Sequence, residues 1–167
     1  MGPVINDKEL ERFTAASRDA AGAGSIVAGG EQMAGGIFDN GPYVQPTIVA
    51  GVPSDHRLNR DELFLPFINV LPFDSLDDAI ADANCSAFGL TAGIYTQDKT
   101  ELDRFLDTIE AGVLYANRAS GATTGAWPGF QTFCGWKGSG TTGKGGLGSW
   151  YVPQFMREQS HTLFGTL

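Results

Sequence analysis

The chain has 167 residues, about one domain's worth, and 42% of them are apolar, enough for a hydrophobic core. A formal net charge of −8 argues against nucleic acid or an anionic membrane as the main partner. Its two cysteines, Cys85 and Cys134, offer neither a metal-ligand spacing nor a disulfide framework, which favours a reducing, cytoplasmic setting.

In chain order, Asn6 followed by Glu9 is a helix-start signature, and Leu10, Phe13, Ala16 and Ala20 keep one face apolar to about Ala21. The opening Met1-Gly2-Pro3 leads into this polar helix and not into a signal peptide. Gly22 and Gly24 end the helix, Ser25-Ile26-Val27-Ala28 is a short strand candidate, and residues 33–42 read as a glycine-rich loop. The β-branched Val44, Thr47, Ile48 and Val49 mark residues 43–52 as extended, with Pro46 at a bulge or an edge. The longest apolar run, 63–73, is broken by Pro66, Asn69 and Pro72 and is too short to span a membrane, so a soluble chain is expected.

From residue 67 the pattern becomes regular. Residues 67–71 read as a buried strand. Ser75 with Asp78 caps a helix carrying Leu76, Ala79, Ile80 and Ala83 at helical spacing. Residues 90–96 form the next strand, Asp98 with Glu101 caps a second helix carrying Leu102, Phe105, Leu106 and Ile109, and 113–117 is a third strand. This β-α-β-α-β order, with crossovers of that length, predicts parallel pairing and an α/β layer. The loop from Trp127 to Gly140 sets large rings among glycines and leaves the carboxyl end of the third strand, the edge where open parallel sheets bind ligands. Trp150 to His161 is a candidate terminal strand with no partner nearby in sequence, suited to pairing with another subunit or an earlier part of a longer chain.

The candidate chemical motifs are sparse. Gly138 to Gly143 matches G-x-G-x-x-G, but it lacks the preceding strand and following helix that phosphate binding needs, so it reads as a flexible loop. Cys134 stands in a glycine loop near Lys137, yet the only histidines, His56 and His161, lie in other segments, and a packing thiol is the reading. Cys85, just past a helix end, reads as structural, and His56 as a solvated loop residue. Glu62 and Phe64, a carboxylate and a ring two residues apart before a strand, suit a ligand's hydroxyls and its flat face, the alternative being a solvated acid and a core ring. No Ser-His-Asp set, metal cluster or carboxylate pair stands out.

The ordered set Met1-Gly2-Pro3-Val4-Ile5, Gln45-Pro46-Thr47-Ile48, Glu62-Leu63-Phe64-Leu65-Pro66, Ala83-Asn84, Phe88-Gly89-Leu90-Thr91-Ala92, and Gly112-Val113 with Asn117 resembles the aldehyde dehydrogenases over nearly the whole chain. Residues 124–140 look most like the glutamate semialdehyde (1-pyrroline-5-carboxylate) dehydrogenase branch. The resemblance implies an NAD- or NADP-dependent oxidation of an aldehyde, probed here by only the carboxyl-terminal part of the catalytic domain. The dinucleotide-binding domain and nucleophilic cysteine are expected upstream of Met1, and an isolated fragment is expected to be inactive. By the same resemblance Glu62 holds the nicotinamide ribose, Phe64 packs near the nicotinamide ring, the backbone of Gly125 and Ala126 holds the substrate carboxylate, and Phe133 lines the aldehyde pocket. Leu65 stands where the family has Gly, and Thr132 where it has Pro. The implied organisation is catalytic domain over 1–149, then an oligomerisation strand and tail over 150–167, with Tyr151 to Thr162 joining a homo-oligomer. Two other classes stay open: a non-catalytic partner-binding module of the same fold, and a different α/β enzyme using Cys134.

Overall fold

The computed structural model describes residues 1–119 and 131–166. They form two compact units, Met1–Cys85 and Ser86–Leu167, and the fold is mixed α/β.

The first unit opens with helix α1, Asp7–Ala23. Its start is fixed locally: the Asn6 side chain accepts a hydrogen bond from the Glu9 N–H at 3.0 Å, satisfying one of the donors that a helix leaves orphaned. The expected apolar face is largely the buried one, with Phe13, Ala16, Ser17 and Ala20 inside and Leu10 half-buried. Strands β1 (Ser25–Ala28), β2 (Thr47–Ala50) and β3 (Phe67–Val70) make one sheet in that order, β1 antiparallel to β2 and β2 parallel to β3. Ala16 and Ala20 of α1 meet Val49, Val52 and Leu58 in the core, with Ile26, Leu63 and Phe67 packed around them. Phe13 is 1% exposed and stands edge-on to Phe67, ring centres 6.4 Å apart.

Thr47, also buried, shows how a polar group survives in this core. Its Oγ1 accepts from the Gly30 N–H at 2.9 Å and donates to the Gln45 carbonyl at 3.0 Å, so the hydroxyl has both partners without water. A one-turn helix, α2 (Arg57–Arg60), occupies the stretch expected to be a polar loop. Its cap is His56, whose Nδ1 accepts from the Leu58 N–H at 3.3 Å while Nε2 lies 3.7 Å from Asp19. His56 is therefore part of the fold and not a bystander in solvent. Helix α3, Leu76–Asn84, is capped by Ser75 as expected, but of its apolar positions only Ile80 is fully buried.

In the second unit, β4 (Phe88–Gly89) pairs antiparallel with β7 (Trp136–Lys137), and β5 (Thr91–Ile94) pairs parallel with β6 (Val113–Ala116) across helix α4 (Lys99–Thr108). The expected parallel β-α-β crossover is thus present as β5-α4-β6, and β3 takes β2 as its parallel neighbour. Phe105, Ile109 and Val113 are buried here. Just beyond β6, Asn117 has φ 50°, a left-handed backbone that Asn tolerates better than most side chains. Its amide closes on Thr96 from both sides, Oδ1 accepting from the Thr96 N–H at 2.9 Å and Nδ2 donating to the Thr96 carbonyl at 2.7 Å.

Within one chain the tail is largely irregular. Residues 153–155 form a 3-10 turn, and among the described residues none from 156 onward belongs to a strand. Trp150, Val152, Phe155 and Met156 are exposed. Among the described residues no helix is long and apolar enough to cross a membrane.

Candidate functional site

Two sequence motifs far apart in the chain meet in the first unit. Residues Met1 to Ile5 and Phe64 to Pro66, together with Glu9 and Arg12 of α1, line a groove of about 760 Å³. Ordinary local rules bring them together. Asn6 starts α1, and residues 1–5 precede it outside any helix or strand, with the Val4 N–H donating to the Pro42 carbonyl at 3.0 Å. Leu63 packs against the core and Phe67 enters β3, so the three residues between them turn outward at the groove.

Phe64 is the anomaly of the segment. Its φ is 57°, a left-handed conformation that a ring-bearing residue seldom adopts, and its side chain is 87% exposed. A large ring held out of the core in a costly backbone conformation is what a stacking surface requires, and it does not fit a core-ring reading. Glu62 is exposed beside it, an acceptor for hydroxyl groups. Leu65, where a glycine would be expected by resemblance, has no left-handed backbone: the positive φ falls on Phe64, so no glycine is needed at 65.

The groove combines the apolar side chains of Met1, Pro3, Val4 and Ile5 with the presented Phe64 ring and two charged groups, Glu9 and Arg12.

In the second unit, Phe133 is half-buried and is tied to Gly146 by an antiparallel bridge, its N–H donating to the Gly146 carbonyl at 2.9 Å. With Leu90, Tyr151 and Phe155 it lines a pocket of about 370 Å³. Gly125 and Ala126 lie outside the described residues, as does most of the aromatic loop before Gln131. Cys134 is half-buried, and its Sγ donates to the Gly112 carbonyl at 3.0 Å, in keeping with a packing thiol. Lys137, its neighbour in the loop, pairs with Glu110 at 2.7 Å and donates to the Ser86 carbonyl at 3.2 Å, so its charge is committed within the fold. Cys85 is exposed at the end of α3.

Three features escaped the sequence reading: the His56 cap, the β4–β7 pair, and Arg12. Arg12 donates through Nη2 to the Leu63 carbonyl at 3.1 Å and through Nη1 to Glu9 Oε2 at 2.6 Å. Only the i, i+3 spacing of Glu9 and Arg12 hinted at the second contact, and nothing local hinted at the first.

Known proteins are similar to this chain in sequence and fold. A betaine aldehyde dehydrogenase of Rhizobium leguminosarum bv. trifolii is 35% identical over 117 residues, covering 70% of this chain and 24% of that protein. The 3,6-anhydro-alpha-L-galactose dehydrogenase of Streptomyces coelicolor is 33% identical over 147 residues, covering 87% of this chain and 29% of that protein. Among solved structures, a 1-pyrroline-5-carboxylate dehydrogenase from Thermus with bound NAD superposes with a TM-score of 0.77 at 31% identity, covering 87% of this chain and 27% of that one. The chain thus spans 24% to 29% of the length of these relatives. Residues 1–160 match the model of the aldehyde dehydrogenase family, and the chain belongs to that family.

Proposed function

We propose that these residues supply the nicotinamide-ribose clamp and one wall of the aldehyde pocket of an NAD(P)-dependent aldehyde dehydrogenase. The observation that carries this reading is the groove in which residues 1–5 face Phe64, its ring turned out by a left-handed backbone. NAD or NADP, when bound, accepts the hydride that an aldehyde loses on becoming an acid. This chain's part is to hold and orient: the Phe64 ring gives the nicotinamide a flat apolar support, and Glu62 accepts from the ribose hydroxyls. Phe133 excludes water from the aldehyde's apolar portion. Neither Cys134 nor Cys85 serves as the nucleophile, since one is committed to the Gly112 carbonyl and the other is exposed at a helix end and lines neither pocket. The covalent step belongs to a longer polypeptide that includes these residues, and 167 residues alone turn over no aldehyde.

For substrate we infer glutamate semialdehyde, with the Gly125 and Ala126 backbone holding its carboxylate. The support is the resemblance of residues 124–140 to that branch and the likeness to the Thermus enzyme. The exposed apolar tail, 150–167, is read as the part that joins a neighbouring subunit, and residues 1–149 as catalytic domain.

The test is made on the polypeptide that carries this segment in its source cells, whose intact mass is measured first. It is then assayed for NAD(P)H formation with glutamate semialdehyde, betaine aldehyde and 3,6-anhydrogalactose. Highest kcat/KM for glutamate semialdehyde, with Glu62→Gln raising KM for the dinucleotide, is the expected result. Preference for either other aldehyde overturns the substrate, and an unchanged dinucleotide KM in Glu62→Gln overturns the clamp.

A further inference from the structure

We propose that Arg12 is a positioning residue for the cofactor groove, fixing the peptide plane ahead of Phe64 and through it the direction of the Phe64 ring. The inference rests on the reading of Glu62 and Phe64 given above.

The geometry is specific to one peptide. The carbonyl that Arg12 Nη2 reaches, at 3.1 Å, is that of Leu63, and this carbonyl belongs to the peptide whose rotation defines φ of Phe64. That φ is the left-handed 57°. Another hydrogen bond in the segment, from the Phe67 N–H to the Leu65 carbonyl at 2.8 Å, lies after Phe64 and leaves the preceding peptide unrestrained. The exposed ring gains little burial of its own that would hold the backbone in place.

Arg12 is itself held. Its Nη1 meets Glu9 Oε2 at 2.6 Å, and the Glu9 N–H donates to Asn6 Oδ1 at 3.0 Å. Asn6, Glu9 and Arg12 therefore run along the first two turns of α1 as a chain of contacts ending at Leu63, a connection across 51 residues of sequence. All of this occurs on the wall of the groove, which both Glu9 and Arg12 line. An arginine is needed because the planar fork reaches a carboxylate and a carbonyl at once from one side chain, whereas a lysine presents a single point charge.

The experiment uses the polypeptide that carries this segment in cells and four variants: Arg12→Met, Arg12→Lys, Glu9→Gln and Phe64→Ala. Two kinds of readout are taken. Without cofactor, hydrogen exchange at the amides of residues 63–65 and chymotryptic cleavage after Phe64 report how firmly the segment is held. With substrates, KM for NAD(P)+, KM for the aldehyde and kcat are measured separately. Loss of one charge-assisted hydrogen bond at a partly exposed site corresponds to about three- to tenfold. Arg12→Met is expected to accelerate exchange and cleavage by that factor and raise KM for NAD(P)+ similarly, with KM for the aldehyde unchanged. Arg12→Lys falls between, and Glu9→Gln, which leaves Arg12 in place but less well held, shifts the same quantities less. Should Arg12→Met not fold, the Lys and Glu9→Gln variants carry the test.

Unchanged exchange and cleavage in the Arg12 variants overturn the proposal. So does a fall in kcat with both KM values unchanged, the mark of a smaller folded fraction. Phe64→Ala separates the two levels: if it leaves the dinucleotide KM unchanged, the cofactor reading fails. If it raises that KM while Arg12→Met does not, the positioning role alone fails.

Discussion

Gly112 is the position where the close approach of two backbones can be tested most sharply. It ends the turn after α4 and leads into β6, and the chain at Cys134 and Gly135 lies directly against it. A Cβ added there would fall inside the contact distance of the Cys134 carbonyl oxygen, 2.5 Å from the carbonyl carbon and 3.1 Å from the Gly135 nitrogen. Carbon atoms pack comfortably at about 3.5–4.0 Å, so the Cys134 segment would have to retreat by roughly 1 Å. Backbone cannot relieve this by changing a rotamer. The same movement strains the Cys134 Sγ–Gly112 carbonyl contact and carries Phe133 away from its bridge with Gly146. Overpacking of this kind costs about 1–3 kcal/mol, and a purely backbone clash belongs near 3 kcal/mol. Gly143→Ala is the matched control, since nothing lies within 4 Å of its added Cβ and its φ is not left-handed; it should be neutral or slightly stabilising. All three tryptophans, Trp127, Trp136 and Trp150, lie in the Ser86–Leu167 unit, so urea unfolding followed by tryptophan fluorescence reads that unit alone. Finding Gly112→Ala within about 0.5 kcal/mol of Gly143→Ala would falsify the close approach.

Other expectations concern the core and the helix ends. Phe13→Ala removes a 1% exposed ring and its edge-on contact with Phe67, and should cost about 3–5 kcal/mol in chemical denaturation of the Met1–Cys85 unit. An outcome below about 1 kcal/mol would mean that the ring is not a core element. Asn6→Ala deletes the α1 cap and should cost about 1 kcal/mol, with Asn6→Ser restoring most of it. At the start of α4, the Thr100 and then the Glu101 N–H groups donate to Asp98 and hold its carboxyl below its ordinary value of 3.8. A carboxyl more acidic in the folded than in the unfolded chain stabilises the fold above its ordinary range and loses that contribution as pH falls through the folded value. The stability gap between the native chain and Asp98→Asn should therefore be full at neutral pH and shrink below about pH 4; a gap constant with pH would contradict the assignment.

Much of this fold is legible from local signals because the signals are themselves local. Asn6, Ser75 and Asp98 each accept from an N–H two or three residues on, so the helix starts can be read from a few letters. Strand β1 and the crossover β5-α4-β6 follow from short-range periodicity in the same way. Apart from the His56 cap, a local contact made by a residue that seldom caps helices, what escaped depends on partners far along the chain. Trp136 and Lys137 form β7 only because Phe88 and Gly89 are there to pair with them, and no alternation in a glycine-rich loop announces that. A terminal strand over Tyr151 to Thr162 would likewise need a distant edge, one supplied by another subunit. At the site, Glu62 and Phe64 were legible as a carboxylate and ring before a strand, but the left-handed turn that presents the ring, and the arginine behind it, appear only in three dimensions.

The amide of Asn117 has a consequence beyond capping. By taking both backbone groups of Thr96, it does for β5 what one more residue of a neighbouring strand would do, and it does so with a side chain while its own N–H still donates to the Ile94 carbonyl at 2.9 Å. The sheet is thereby sealed at a fixed rung. Chain beyond this seal can lengthen, shorten or change composition without sliding β6 against β5, because the register is locked upstream of wherever the variation falls. A fold sealed in this way can trade one loop for another while its scaffold stays in step.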